Sequence, residues 1–175
     1  KHRPAFQEGQ LWLYRTYVMR DKYELANRVY NSLTGKGNIF PDVAAELAVA
    51  RANFFVQQNE YNKAVEPLNQ AIDLSKDRQE KARLAYIVAQ IHQRNGNGSQ
   101  AYAGFERVLK YGPRYEMEFR ARLSLAQNAW VNGNATAEQA MKNLEKMLKD
   151  SKNAEYQDQV YYAMADVALK NNDKK

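Results

Sequence analysis

His92 is the residue best suited by type to acid–base or metal chemistry, because an imidazole titrates near neutral pH and readily ligates metals. Nothing shares its spacing: the other histidine is His2, and no carboxylate or second imidazole stands one helical turn away. His92 therefore reads as a packed or capped core residue. Glu116 and Glu118 lie two apart on an expected helix, so their carboxylates point to different faces and form no catalytic dyad. The chain contains no HExxH, nucleophile elbow, P-loop or dinucleotide fingerprint. It has no cysteine, which removes disulfides, thiolate metal sites and a cysteine nucleophile. No catalytic residue, metal or cofactor is expected, and the reading is that the chain is not an enzyme. What remains is recognition chemistry carried by Arg15, Arg83 and Arg120, by Asn53, Gln90 and Gln127, and by Tyr86, Trp130 and Tyr162. Arginine forks onto carboxylates, amides bond a peptide backbone in either sense, and aromatic rings anchor partners.

These residues are selected by their places on a recurring element. From Ala48 to Leu74 the chain reads as two amphipathic helices joined by a turn at Gln58-Asn59-Glu60, with Ala52, Phe55, Ala64, Leu68 and Ala71 at helical spacing. The small position Ala52 returns 37 residues on at Ala89 and again at Ala126, then at Ala165 after 39. Val88-Ala89, His92, Ala101, Phe105 and Pro113 form the third copy, with Gly96-Asn97-Gly98 as its turn. The first carries Tyr14 where a small residue is expected, followed by Tyr17, the turn Arg20-Asp21-Lys22, Tyr23, Ala26, Tyr30 and Leu33. The fourth has Leu125-Ala126, Ala129, Ala140, Leu144 and Met147, with extra residues in the turn Asn132-Gly133-Asn134-Ala135-Thr136.

Local signals fit this frame. Gly35 and Gly37 are expected to end the second helix in the left-handed conformation, and Pro41 to open the third. Pro67 falls inside a helix and should bend it. Tyr115, Met117 and Phe119 are expected to pack on the preceding return helix.

The pattern is that of a tetratricopeptide (TPR) repeat, which it resembles at a slightly longer period than the usual ~34. The resemblance implies an all-α, right-handed TPR solenoid of about four helix pairs plus one extra C-terminal helix. The expected organisation is one repeat domain over 1–175, with repeats at about 7–41, 42–77, 78–115 and 116–152 and a half repeat at 153–175. In this class the first helix of each pair lines a concave groove. The offsets from the small position then place Leu11, Arg15, Val18, Val49, Asn53, Val56, Tyr86, Gln90, Gln93, Arg94, Leu123, Gln127, Trp130, Tyr162 and Asp166 toward a ligand, with Arg83 and Arg120 on the same side. Chaperone-tail adaptors of the class clamp a terminal carboxylate with lysines. Here Asn53 matches one clamp position, but Leu11, Val49, Tyr86 and Leu123 stand where the lysines would, so that ligand is not expected.

Charge favours the same conclusion. The formal charge is +6 and the pI about 9.4. Basic residues nevertheless alternate with acids along every helix, as in Lys76-Asp77-Arg78-Gln79-Glu80-Lys81, and no nucleic-acid motif appears. Proteins or peptides are the expected partners, with neither nucleic acid nor a small-molecule substrate. A basic helical repeat binding nucleic acid and a generic cytosolic TPR adaptor stay open as alternatives. No apolar run is long enough to span a bilayer and no signal peptide is seen. Beginning at Lys1-His2 and ending in a half repeat, the chain reads as a segment of something longer.

Three stretches carry a narrower resemblance: LEKMLKDSKNAEYQDQVYYAMADVAL from Leu144 to Leu169, AVEPLNQAIDL from Ala64 to Leu74, and YEMEFRARLSLA from Tyr115 to Ala126. Together they resemble the TPR lipoprotein of the Bacteroidota type IX secretion and gliding-motility machinery. That family implies a non-enzymatic scaffold anchored at the periplasmic face of the outer membrane, joining envelope secretion-complex components. The lipidated cysteine such a protein would carry is not in this sequence.

Overall fold

A computed structural model describes residues 5–35, 37–131 and 135–172, the side chains of residues 130, 131 and 172 excepted. The described residues form α1 (Ala5–Met19), α2 (Tyr23–Thr34), α3 (Pro41–Gln57), α4 (Tyr61–Leu74), α5 (Arg78–Arg94), α6 (Gly98–Lys110), α7 (Tyr115–Val131), α8 (Ala137–Lys149), a 3-10 helix (Ser151–Tyr156) and α9 (Gln157–Asn172). There is no strand among them. Within the chain, α1 packs on α2, α3 on α4 and α7 on α8, and α9 returns onto α8. This is the all-α architecture of consecutive helix pairs that the spacing of Ala52, Ala89 and Ala126 predicts.

The turns inside the pairs show how the sequence enforces that geometry. Asp21, Asn59 and Gly96 take left-handed conformations with φ of 56°, 59° and 73°. In each case the next residue's N–H reaches back across the turn: Lys22 to the Tyr17 carbonyl, Glu60 to Phe55 and Asn97 to His92, all at 2.9 Å. A left-handed residue followed by this long bond closes a helix and satisfies carbonyls that would otherwise be orphaned. In the first two turns a tyrosine at the start of the next helix grips the strained residue. Tyr23 Oη donates to Asp21 Oδ1 at 2.7 Å, and Tyr61 Oη to Asn59 Oδ1 at 2.9 Å. In the third turn both positions are glycine, Gly96 and Gly98, and φ above zero needs no such support. Residues 132–134 of the expected fourth turn lie outside the described residues. Thr136 then starts α8 with a reciprocal capping box to Gln139.

Other local expectations are met or redirected. Pro41 stands in the first turn of α3 after Phe40 in an extended conformation. The Gln7 side chain on α1 ties down the approach, accepting from the Phe40 N–H at 2.9 Å and donating to the Asn38 carbonyl at 3.1 Å. Gly35 follows α2 in a right-handed conformation, so Gly37, at φ 108°, is the left-handed glycine there. α4 runs through Pro67 as one helix, with the ring buried. Pro67 stands 37 residues before Gly104, where α6 crosses α5 so closely that an added Cβ would lie 2.8 Å from the Ala89 Cβ. The small position at Ala89 thus serves the close crossing that its recurrence suggests.

The chain divides into two compact units, Lys1–Leu84 and Ala85–Lys175. In the first, Leu11, Tyr14, Val18, Ala26, Leu33, Val43, Leu47, Ala50 and Phe54 form the core, edged by Tyr17, Tyr23, Tyr30 and Phe55. In the second, Phe119, Ala126, Ala140, Leu144, Val160, Ala163 and Val167 do so. Ala165, read as the last copy of the small position, is exposed, because α9 meets its neighbours through Val160, Ala163 and Val167 and no described helix covers its other side. Tyr115 and Phe119, expected to pack on the preceding return helix, engage residues further along the chain. The Tyr115 hydroxyl donates to Asn153 Oδ1, and the Phe119 ring stacks on Tyr156 with centroids 4.8 Å apart, both partners being on the 3-10 helix.

Candidate protein-binding site

The expected groove residues fall into two groups, one in each unit. In the first unit, Arg15 of α1 and Arg83 of α5 line the same open cleft of about 370 Å³. Val49 of α3 forms part of its wall, with Ala71 and Ser75 behind. Arg15 Nη2 lies 3.0 Å from Glu46 Oε2, and its guanidinium centre is 5.4 Å from the Trp12 ring. Arg83 forks onto Glu80, with Nε 3.0 Å from Oε2 and Nη2 2.7 Å from Oε1. The Glu80 hydrogen bonds hold the Arg83 guanidinium more firmly protonated than usual, against a smaller opposing effect of burial.

The cleft therefore presents two arginines that are already partnered, by glutamates substantially exposed to water. Such pairs contribute about 0–1 kcal/mol each. A ligand carboxylate can thus replace Glu46 or Glu80 at little cost while gaining a planar, two-donor contact. Asn53 is exposed one turn further along α3, outside the cleft lining.

The expectation is corrected at Leu11 and Val18. Both are core residues, 2% and 1% exposed, and neither faces a ligand. Their neighbour Tyr14 is the reason: a bulky ring in place of a small residue turns this stripe of α1 into the aromatic core around Tyr30 and Phe54.

In the second unit Tyr86, Gln90, Arg120 and Gln127 occupy one stripe on α5 and one on α7. Tyr86 is half-buried, with its ring edge-on to Phe105 at 5.5 Å. Burial pushes its hydroxyl above the usual tyrosine value, while a hydrogen bond with Ser124 and the Arg120 charge act in the opposite direction. Tyr86 is thus a packed residue with a polar edge. Arg120 pairs with Glu116 at 2.8 Å, and Arg122 with Glu118 at 2.7 Å. The two glutamates serve separate ladders on different faces of α7, as their spacing requires. Gln90 is exposed and Gln127 half-buried. Tyr162, 77% exposed, projects from α9. The Trp130 side chain and His2 lie outside the described residues. His92 is half-buried, and its Nδ1 is buried without a hydrogen-bond partner. No cluster of potential metal ligands occurs among the described residues.

Arg51 is a site-like residue that the repeat pattern passes over. Its guanidinium centre lies 4.4, 4.5 and 4.6 Å from the rings of Tyr30, Phe54 and Phe55, and Nη1 donates to Asn27 Oδ1 at 2.6 Å. No described carboxylate pairs with it. Cation–π attraction in a partly desolvated setting takes the place of an ion pair. The signal in the sequence is Arg51 set within one turn of Phe54-Phe55, but it reads there as an ordinary surface arginine.

No protein-family model matches the sequence, and no curated protein matches it. Among solved structures it is similar to the crystal structure of nearly identical TPR-like repeats ascribed to a kinesin light chain of Podosopora anserina, at 17% identity and a TM-score of 0.62, covering 99% of this chain and 90% of that one. At that identity the similarity establishes the fold: TPR-like helical repeats. No described helix is long and apolar enough to cross a membrane.

Proposed function

We propose that the chain is a non-enzymatic scaffold that captures acidic segments of partner proteins through Arg15 and Arg83. The observation that carries this reading is the cleft they share, in which both guanidinium groups are held by exchangeable glutamates. Arg120, Gln90, Gln127, Tyr86 and Tyr162 extend the same recognition chemistry on the second unit. The finer assignment is to a type IX secretion and gliding complex at the periplasmic face of the outer membrane. What supports it is the resemblance of Leu144–Leu169 and the two shorter stretches.

Affinity purification of the tagged full-length protein, crosslinked before lysis and read by mass spectrometry, tests both levels. Recovery of secretion-ring and translocon components by the wild type, lost in a folded Arg15→Ala/Arg83→Ala variant, is the expected result. Recovery of cytosolic proteins alone would remove the envelope assignment and leave the scaffold. Undiminished recovery by the double variant would remove the cleft. Nucleic-acid capture falling steeply with salt would favour a polyanion site instead.

A further inference from the structure

A larger cleft, of about 500 Å³, opens in the second unit between α6, α7 and α8. It uses the stripe of α7 that carries Phe119, Arg122 and Ala126, about a third of a turn round the helix from Arg120 and Gln127. Its depth comes from small residues, Ala126 and Ala129, set between the larger Leu109, Leu125 and Met147. The volume lies within the range of sites that take a few side chains of a ligand.

One wall is pre-set. Asp150 caps the 3-10 helix by accepting from the Lys152 N–H at 3.0 Å. Asn153, 5% exposed, donates to the Met147 carbonyl at 2.7 Å and accepts from Tyr115. A wall held this way loses little freedom on binding.

The charges round the cleft are unevenly committed. Glu118 is taken by Arg122, whose Nε and Nη2 both reach Oε1 at 3.0 and 2.7 Å. The Asp150 carboxylate is engaged as a cap. Lys146 and Lys152, both exposed, stand on the rim with no described side-chain partner. Arg122, Lys146 and Lys152 outweigh Glu118 and Asp150 in the lining, and two uncommitted ammonium groups beside Leu125, Ala126, Ala129 and Met147 are complementary to a chain bearing apolar side chains flanked by carboxylates. Lysine's flexible stem suits a ligand whose acidic positions vary.

We propose that this cleft is a second docking site, separate from the arginine cleft, for a short acidic peptide segment with an aliphatic or aromatic anchor. Apolar side chains of the segment occupy the space over Ala126 and Ala129, and its carboxylates pair with Lys146 and Lys152.

The test uses the whole chain and three fluorescein-labelled ten-residue peptides in which leucine alternates with glutamate, glutamine or lysine, titrated by fluorescence anisotropy. The glutamate peptide is expected to bind at least tenfold more tightly than the other two. A Lys146→Glu/Lys152→Glu variant, folded by circular dichroism, is expected to lose at least tenfold in affinity. Arg15→Ala/Arg83→Ala removes the first cleft's own capture of acidic segments but is expected to keep one site for the glutamate peptide, which adding Lys146→Glu/Lys152→Glu is expected to abolish, so failure here is distinguishable from failure of the first cleft. The proposal is overturned if no peptide binds at millimolar concentration, if the lysine peptide binds equally, or if the loss appears only in the arginine variant. Preferential capture of anionic phospholipid vesicles, with the glutamate peptide unable to compete, would overturn it as well.

Discussion

In the first unit Tyr14, Tyr30, Phe54 and Phe55 crowd round one another and round the Arg51 guanidinium, whereas in the second Leu144, Val160, Ala163 and Val167 pack with the stacked pair Phe119 and Tyr156, while Tyr86 and Phe105 meet edge-on elsewhere. The helix-pair frame is common to both. Two buried polar groups, one in each unit, contrast as well. Asn153 uses its amide nitrogen and its carbonyl oxygen, each with a partner inside the fold. The Tyr14 hydroxyl is fully buried, near enough to Arg51 to feel its charge, yet makes no hydrogen bond of normal geometry. A repeat frame set by small residues at helix crossings therefore tolerates very different core chemistry. The cost of removing a polar group should change sign between Asn153 and Tyr14.

The largest effect should come from Phe54→Ala. Phe54 is 3% exposed, meets Tyr14, Tyr23 and Phe55, and forms part of the seat of Arg51. Losing a buried phenylalanine costs about 3–5 kcal/mol. Because repeat units couple mainly to their nearest neighbours, hydrogen exchange should accelerate across α1 to α4 and change little in α8 and α9. Equal acceleration in α8 and α9 would show that the two cores are not independently built.

Next in size is Asn153→Ala. It strands the Met147 carbonyl and deprives the Tyr115 hydroxyl of its acceptor, at a cost of about 1–3 kcal/mol. Urea unfolding should register the loss, with faster exchange at residues 151–156. A change within about 0.5 kcal/mol, the range of an ordinary surface substitution, would mean that the amide does not hold the 3-10 helix.

The contrast between the units also marks what sequence could and could not reveal. Helix pairs were legible because small residues recur at Ala52, Ala89 and Ala126, and because Asp21, Asn59 and Gly96 are types that accept a left-handed turn. Arg15 and Arg83 could be placed by offset from that frame. Leu11 and Val18 could not, because the offset rule assumes a small residue where Tyr14 stands, and a ring there draws its neighbours into the core. The cleft beneath Lys146 and Lys152 was hidden for another reason. It depends on Tyr115 and Phe119 engaging a 3-10 helix more than thirty residues later, and that pairing leaves no periodic trace.

Tyr14→Phe gives the smallest effect and the most pointed one. At pH 7 the substitution keeps the ring and removes a buried oxygen that has no partner, so stability should be unchanged or rise by up to about 1 kcal/mol. Burial pushes the Tyr14 hydroxyl up to about 12 from its ordinary 10.0, with Arg51, by its polar contact and its charge, pulling the other way. The unfolded chain therefore releases this proton at lower pH than the native one and binds fewer protons in between. The contribution is complete below pH 10 and is lost as pH rises through about 12. Over that window the wild type should lose on the order of 2 kcal/mol more than Tyr14→Phe. All other tyrosines are shared by the two proteins, so the difference between their urea midpoints at pH 10 and at pH 12 isolates this hydroxyl. A destabilised Tyr14→Phe at pH 7, with the same alkaline slope as the wild type, would show that Tyr14 is satisfied in solution, and the opposition between the two cores would reduce to ring count.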